Sequence, residues 1–302
     1  MEGRFIAMLA LEQPCVISLD DLVVGLKTRV PQLEDEIVGR PYHGEMAAAS
    51  EAYIISISGN HYAVAYVGEP APADRFANAV AYAVERWPDA GDHLGAHSGH
   101  IVVSNLIAVN SFGAAVDAAG SVTLIAGVLN ELAPSLGVYW AAGELLQSPD
   151  GFAAMTDMLI GGQPPVDAWV TIRAHIDDYT PDAEPTIGIS TLGLNSFCGR
   201  EIETTSSLVS TTRTCDRVLA VAADILQHGP ELADNSTIRI GENDTIRVNL
   251  MDKGRFSDRQ PVVLLTAEEP EDAGQPAAEG ADTDDDGPPL FQRRKRTKPF
   301  AT

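Results

Sequence analysis

The sequence predicts an α+β fold of two split β-α-β halves with mostly antiparallel sheets, followed by a disordered C-terminal tail. Three observations predict it. Apolar periodicity alternates between 2 and 3.6 residues along the chain. The resulting order, β-α-β-β-α-β, occurs once before Pro134 and again after it. Composition then changes abruptly at residue 267. The expected units are residues 1–134, 135–266 and the tail 267–302.

The elements follow in order. Residues 5 to 11 read as a strand. One Arg before an apolar run imitates the front of a signal peptide, but Glu12 cuts the run short and a first core strand is the simpler reading. Ser18-Leu-Asp-Asp21 is a capping-box-like start for a helix whose Leu19, Leu22, Val23, Leu26 and Val30 share a face. Ala52 to Ser58 and His61 to Val67, separated by Gly59-Asn60, form a hairpin signature. Phe76, Val80, Val84 and Trp87 fall at helical spacing before Pro88, and His100 to Leu106 is the next strand. A helix from about Ser111 to Leu132 stops at Pro134.

In the second half Gly137 to Ala142 is a strand, and Ser148-Pro149 supplies an N-cap and a first-turn proline for a helix ending at Gly161-Gly162. Ala168 to Ile176 and Thr186 to Leu194 read as strands. A helix carrying Cys215, Leu219, Ala222, Ile225 and Leu226 ends at Gly229-Pro230, and short strands follow at 236–240, 245–250 and 261–266. Each half thus has the ferredoxin-like element order. Trp87, Trp140 and Trp169 lie in apolar periodic segments and are expected in the core.

The tail carries nine acids and no base between Ala267 and Gly287, then five bases, Arg293, Arg294, Lys295, Arg296 and Lys298, beside Leu290, Phe291 and Phe300. Such composition cannot offset its ordering entropy. The basic segment either docks, on the acidic body, an anionic membrane or RNA, or solubilises the chain. The whole chain has a formal charge of −23, and without the tail the body keeps 34 acids against 15 bases, or −19. That charge repels phosphate backbones, so nucleic acid is not the expected partner of the body; a basic protein is. No membrane span is expected, because Asn110, Asp117 and Asn130 interrupt the longest apolar stretch. Cys15, Cys198 and Cys215 are far apart with no C-x-x-C pair, which excludes a disulfide scaffold and a thiolate zinc cluster and fits a reducing cytoplasm.

Two segments carry residues capable of chemistry. In Asp92-His93-Leu-Gly-Ala-His97-Ser-Gly-His100, three imidazoles could ligate zinc, whose catalytic sites use three protein ligands and an open position. Gly95 and Gly99 argue against a helix that would gather them, and no Glu stands between the pair as in H-E-x-x-H. The competing reading has these histidines bonding backbone groups before a strand, with no cofactor. In Thr191-Leu-Gly-Leu-Asn-Ser-Phe-Cys-Gly-Arg-Glu-Ile-Glu203, Cys198 could act as a nucleophile if Arg200 lowers its thiol pKa, with His97, His100 or His175 as base. If this stretch is strand-like, Glu201 and Glu203 share a face opposite Arg200, either as a functional pair or as a solvated strand edge. The sequence has no G-x-x-x-x-G-K-[ST], no G-x-G-x-x-G after a strand and no G-x-S-x-G.

Trp87-Pro88, His97-Ser-Gly-His-Ile-Val-Val103, Gly137-Val-Tyr-Trp140, Ala168-Trp-Val170 and Gly193 to Glu203, taken together in order and spacing, resemble the bacterial domain of unknown function 4261 family. The resemblance covers residues 1 to 265 and leaves the tail as an addition. It implies no activity or cofactor; it marks His97, His100, Arg200, Glu201 and Glu203 as positions of interest. The functional expectation is a non-catalytic binding or regulatory module for a protein partner or small molecule. The rival is an enzyme, either a metal-dependent hydrolase on His93, His97 and His100 or a thiol enzyme on Cys198.

Overall fold

The computed structural model describes residues 3–44, 49–84, 86–178, 186–205, 210–240, 244–257 and 259–267. The tail from 268 onward, with the disorder expected of it, lies outside the described residues. In chain order the elements are β1 (Ile6–Leu11), α1 (Leu19–Arg29), β2 (Ile37–Pro41), β3 (Glu51–Ile57), β4 (Asn60–Val67), α2 (Ala77–Ala83), α3 (Ala90–Gly95), β5 (Gly99–Asn105), α4 (Phe112–Leu132), β6 (Ser135–Trp140) and β7 (Leu145–Gln147). There follow α5 (Pro149–Ile160), α6 (Val166–Trp169), β8 (Thr171–Asp178), β9 (Thr186–Leu192), α7 (Asn195–Cys198), β10 (Glu201–Thr204), α8 (Thr211–His228), β11 (Ser236–Arg239), β12 (Thr245–Met251) and β13 (Val262–Ala267). The α+β class with two mostly antiparallel sheets stands.

The first sheet has the order β2-β3-β4-β5-β1-β6-β7 and every pairing in it is antiparallel. This departs from split β-α-β units, in which the first strand has a parallel neighbour. Here β1 lies between β5 and β6 and runs against both. β6 and β7 therefore belong to the first sheet, and the change of sheet falls after Gln147 rather than at residue 134. The second sheet has the order β11-β12-β13-β10-β9-β8, with β10–β13 its parallel pair.

Local chemistry explains the elements that match. The Ser18 hydroxyl accepts from the Asp21 N–H at 3.1 Å to start α1, and the Ser148 hydroxyl accepts from the Gly151 N–H at 3.2 Å to start α5. The β3–β4 turn is Ser58-Gly59, one residue earlier than expected, with φ of 49° and 78° as a two-residue primed turn requires. The α2 stripe is also shifted. A 3₁₀ turn over Ala73–Phe76 resets the phase, so Phe76, Ala79 and Ala83 are buried while Val84 is exposed. Ala168 and Trp169 close a helical turn instead of opening a strand, and Asn195–Cys198 is likewise helical.

Alternation along β6 sends Val138 and Trp140 to one face and Tyr139 to the other. The first face packs on α1 and α4; the second, with Ala10 and Leu146, packs on α2 and α3. α4 is apolar nearly all round and is the one helix, among the described residues, long and apolar enough to cross a membrane; 78% of that stretch is buried within the molecule.

One core runs from Phe5 through both sheets to Leu265. At its centre four fully buried rings close a box: Phe5 stacks on Trp140 at 5.9 Å, Trp140 on Trp169 at 6.3 Å, Trp169 on Phe197 at 5.2 Å, and Phe197 meets Phe5 at 4.9 Å. Trp87 is only half-buried and lies beside His93. The backbone under the box is tight. Gly193 has φ of 110°, and a Cβ there would lie 2.5 Å from the Trp169 carbonyl oxygen and 3.0 Å from the Gly143 Cα. Gly193→Ala is expected to cost about 3 kcal/mol, as strain plus overpacking, read as a lower urea midpoint with unchanged slope.

Candidate functional site

Of the residues singled out by the sequence, Cys198, Arg200, Glu201 and Glu203 lie on or next to β10, which is interior to the second sheet between β13 and β9, whereas the three histidines lie on α3 and β5 of the first part of the chain or between them. Glu201 and Glu203 do share a face, opposite Ile202, but each is 2% exposed, so the expected solvated edge does not exist. Glu201 accepts from the Thr191 hydroxyl at 2.6 Å and from the N–H groups of Gly193, Asn195 and Leu194 at 2.8, 3.1 and 3.2 Å. It ties down the turn that enters α7. Burial raises its pKa, and the four donors oppose that rise. Glu203 accepts from three consecutive N–H groups, Arg255 at 2.7, Phe256 at 2.8 and Ser257 at 2.6 Å. It straps the segment after β12 across the sheet. Both oxygens of each carboxylate accept hydrogen bonds from the chain itself.

Arg200 donates to the carbonyls of Met251 at 2.8 Å and Val262 at 3.4 Å. Cys198 donates its S–H to the Arg200 carbonyl at 3.2 Å and the Leu194 carbonyl at 3.5 Å, and burial pushes the thiol up to about 11. The expected lowering by Arg200 is outweighed, because taking a thiolate out of water costs more than the guanidinium returns. Cys198 is therefore a protonated thiol at neutral pH. Iodoacetamide is expected to label it only after denaturation, and rapid labelling of native protein at about pH 7 would contradict this.

The three histidines are not brought together as a ligand set. The His97 ring has both nitrogens occupied, one donating to the Leu94 carbonyl and the other accepting from the Ala71 N–H at 2.8 Å. His100 donates from Nδ1 to the Glu69 carbonyl at 2.9 Å, and His93 is exposed beside Trp87 at 5.6 Å. His93 does lie in a helix despite Gly95. Among the described residues no group of three or more His, Cys, Asp or Glu side chains is arranged to hold a metal.

His175 finds a partner that sequence reasoning missed. Its Nε2 shares a 2.8 Å hydrogen bond with the Ser190 hydroxyl, and its ring lies flat on Phe256 at 4.6 Å and 5°. A serine and an imidazole at this distance could form a nucleophile–base pair, but Ser190 is 2% exposed beneath the strap that Glu203 holds. No signal in the sequence joins positions 175, 190 and 256.

Burial lowers the pKa of both His100 and His175 from the ordinary 6.5. As pH falls through that value the unfolded chain takes up these protons before the folded one, so stability falls with pH. The melting temperature is expected to decline from about pH 7 to about pH 5, and the slope to flatten in a His100→Gln, His175→Gln double variant.

An open groove of about 370 Å³ remains, between α8 and the segment running from the end of α5 into α6. Leu219, Ala220 and Ala223 form one wall, and Met158, Pro164 and Val166 the other, with Asp167 at its side. The sequence places Leu219 on α8 with Cys215, Ala222, Ile225 and Leu226. The fully buried stripe is Val218, Val221, Ala222, Ile225 and Leu226, and Leu219, Ala220 and Ala223 widen the apolar surface beyond it. An apolar arc broader than one helix face was the available signal.

Comparison of the chain with protein-family models, with curated proteins and with solved structures found no match.

Proposed function

We propose that this protein is a non-catalytic binding module whose contact surface is the groove between α8 and the α5–α6 segment. The observation that carries the reading is the groove itself, an apolar-walled concavity open to solvent on a body of charge −19. The groups that could do chemistry support it, since Glu201, Glu203, His97 and Cys198 are each engaged by backbone atoms. The partner is a basic protein segment with apolar anchors, steered in by the negative field. Three free cysteines fit a reducing, cytoplasmic setting. Membership of the domain of unknown function 4261 family belongs to the same proposal. It is supported by the way three of its strings, around Trp140, Trp169 and Phe197, meet in the aromatic box.

The test compares Ala223→Arg, in the groove, with Val24→Arg, on the exposed side of α1. A basic protein retained from host extract at low ionic strength is expected to be lost with the first variant and kept with the second, at unchanged melting temperature. Equal retention by both variants would remove the groove from the reading.

A further inference from the structure

We infer that the groove is occupied in cis by this chain's own segment from Leu290 to Phe300, so that partner access is regulated by the tail. The inference rests on the groove being a binding surface. Three observations carry it beyond that reading.

The first is where the chain leaves the second sheet. Ala267, the end of β13, lies against Thr214 and Arg217 in the first turns of α8. The groove wall begins at Leu219 on the same helix and ends at Gln227. From Arg217 to Gln227 the helix rises about 15 Å. A random coil with the length of the spacer 268–289 has an r.m.s. span of about 25 Å, so the basic segment reaches the whole groove.

The second is charge. The body at −19 repels the nine acids of the spacer and attracts the five bases that follow, so the field sorts the two parts of the tail. Around the groove, Asp157 is 64% exposed, Asp167 is 49% exposed and Asp216 is exposed one turn before Ala220. Arg29 already pairs with Asp157 at 2.9 Å and Arg86 with Asp167 at 3.8 Å. Pairs this exposed are weak, so incoming bases join these carboxylates rather than compete for them.

The third is the apolar content of the segment. Leu290 and Phe291 precede the bases and Phe300 follows them, which gives anchors on both sides of the charge cluster for an apolar floor. A groove of about 370 Å³ accepts a few such side chains and no folded domain.

The experiment places benzoylphenylalanine at position 227, on the exposed groove rim of the full chain, and maps the photocrosslinks. A crosslink within Leu290–Phe300 is expected, with a yield independent of protein concentration. Two variants are expected to lose it: one with Arg293, Arg294, Lys295, Arg296 and Lys298 all changed to Gln, and one with Leu290→Ser and Phe291→Ser. Free peptide 288–300 is expected to compete only near millimolar concentration, the effective concentration of a short tether. A yield that rises with protein concentration identifies a second copy as the occupant and overturns the inference, as does a crosslink unchanged in both variants. A crosslink only to a basic protein from host extract overturns it too, but leaves the binding reading intact. Crosslinks to neither overturn both.

Discussion

Trp169→Ala is expected to lower the unfolding free energy by about 3–5 kcal/mol, the range for removing a fully buried large ring. Trp169 is 0% exposed, stacks between Trp140 and Phe197, and donates from Nε1 to the Thr123 hydroxyl at 2.8 Å. The ring comes from α6, between the last strand of one sheet and the first of the other, and its hydrogen bond reaches α4. Its loss therefore removes packing from both sheets at once. Trp169→Phe keeps most of the stack and loses the hydrogen bond, with an expected cost near 2 kcal/mol. The half-buried Trp87→Ala is the control and is expected to cost less than either. Urea unfolding followed by circular dichroism measures all three, and a Trp169→Ala cost below about 1 kcal/mol would mean that the two sheets do not share a core.

Glu203→Ala is expected to be comparably damaging, at about 3 kcal/mol, because it leaves three part-buried backbone donors without their acceptor and opens a cavity where the buried carboxylate stood beside Gly254. The damage has a local signature. Amide exchange at Arg255, Phe256 and Ser257 is expected to accelerate far more than exchange in β12 or β13, and the ring of Phe256 to leave His175. Glu203→Gln keeps one acceptor oxygen but turns an N–H₂ toward N–H donors, and is expected to fall between wild type and alanine. Unchanged protection in the alanine variant would show that the strap is held by something other than this carboxylate.

Sequence reasoning succeeded where the decisive interaction is local. The Ser18 and Ser148 caps, the β3–β4 hairpin, though not the exact residues of its turn, and the alternation that places Glu201 and Glu203 on one face all depend on residues a few positions apart. It failed where partners are distant. β2 is an edge strand of five residues ending at Pro41, with too little alternation to stand out. Strand order could not be read because the helices connecting β1 to its neighbours say nothing of which edge the chain returns to. The two carboxylates looked like either an active pair or a charged edge because the Glu203 donors lie more than fifty positions downstream. Ser190 lies fifteen positions from His175 on the neighbouring strand, and the groove wall of α5 lies about sixty positions from that of α8, so neither pairing shows in the sequence.

The parallel pair β10–β13 has a consequence for how the molecule is made. β13, the last strand among the described residues, is not added at the rim of its sheet but inserted between β12 and β10. During vectorial synthesis both of those strands must wait with open hydrogen-bonding edges until residues 262–267 have left the ribosome. The C-terminal sheet thus closes as a late, nearly all-or-none event, and a chain ending before Val262 would be left with a gap through its middle rather than a shortened margin.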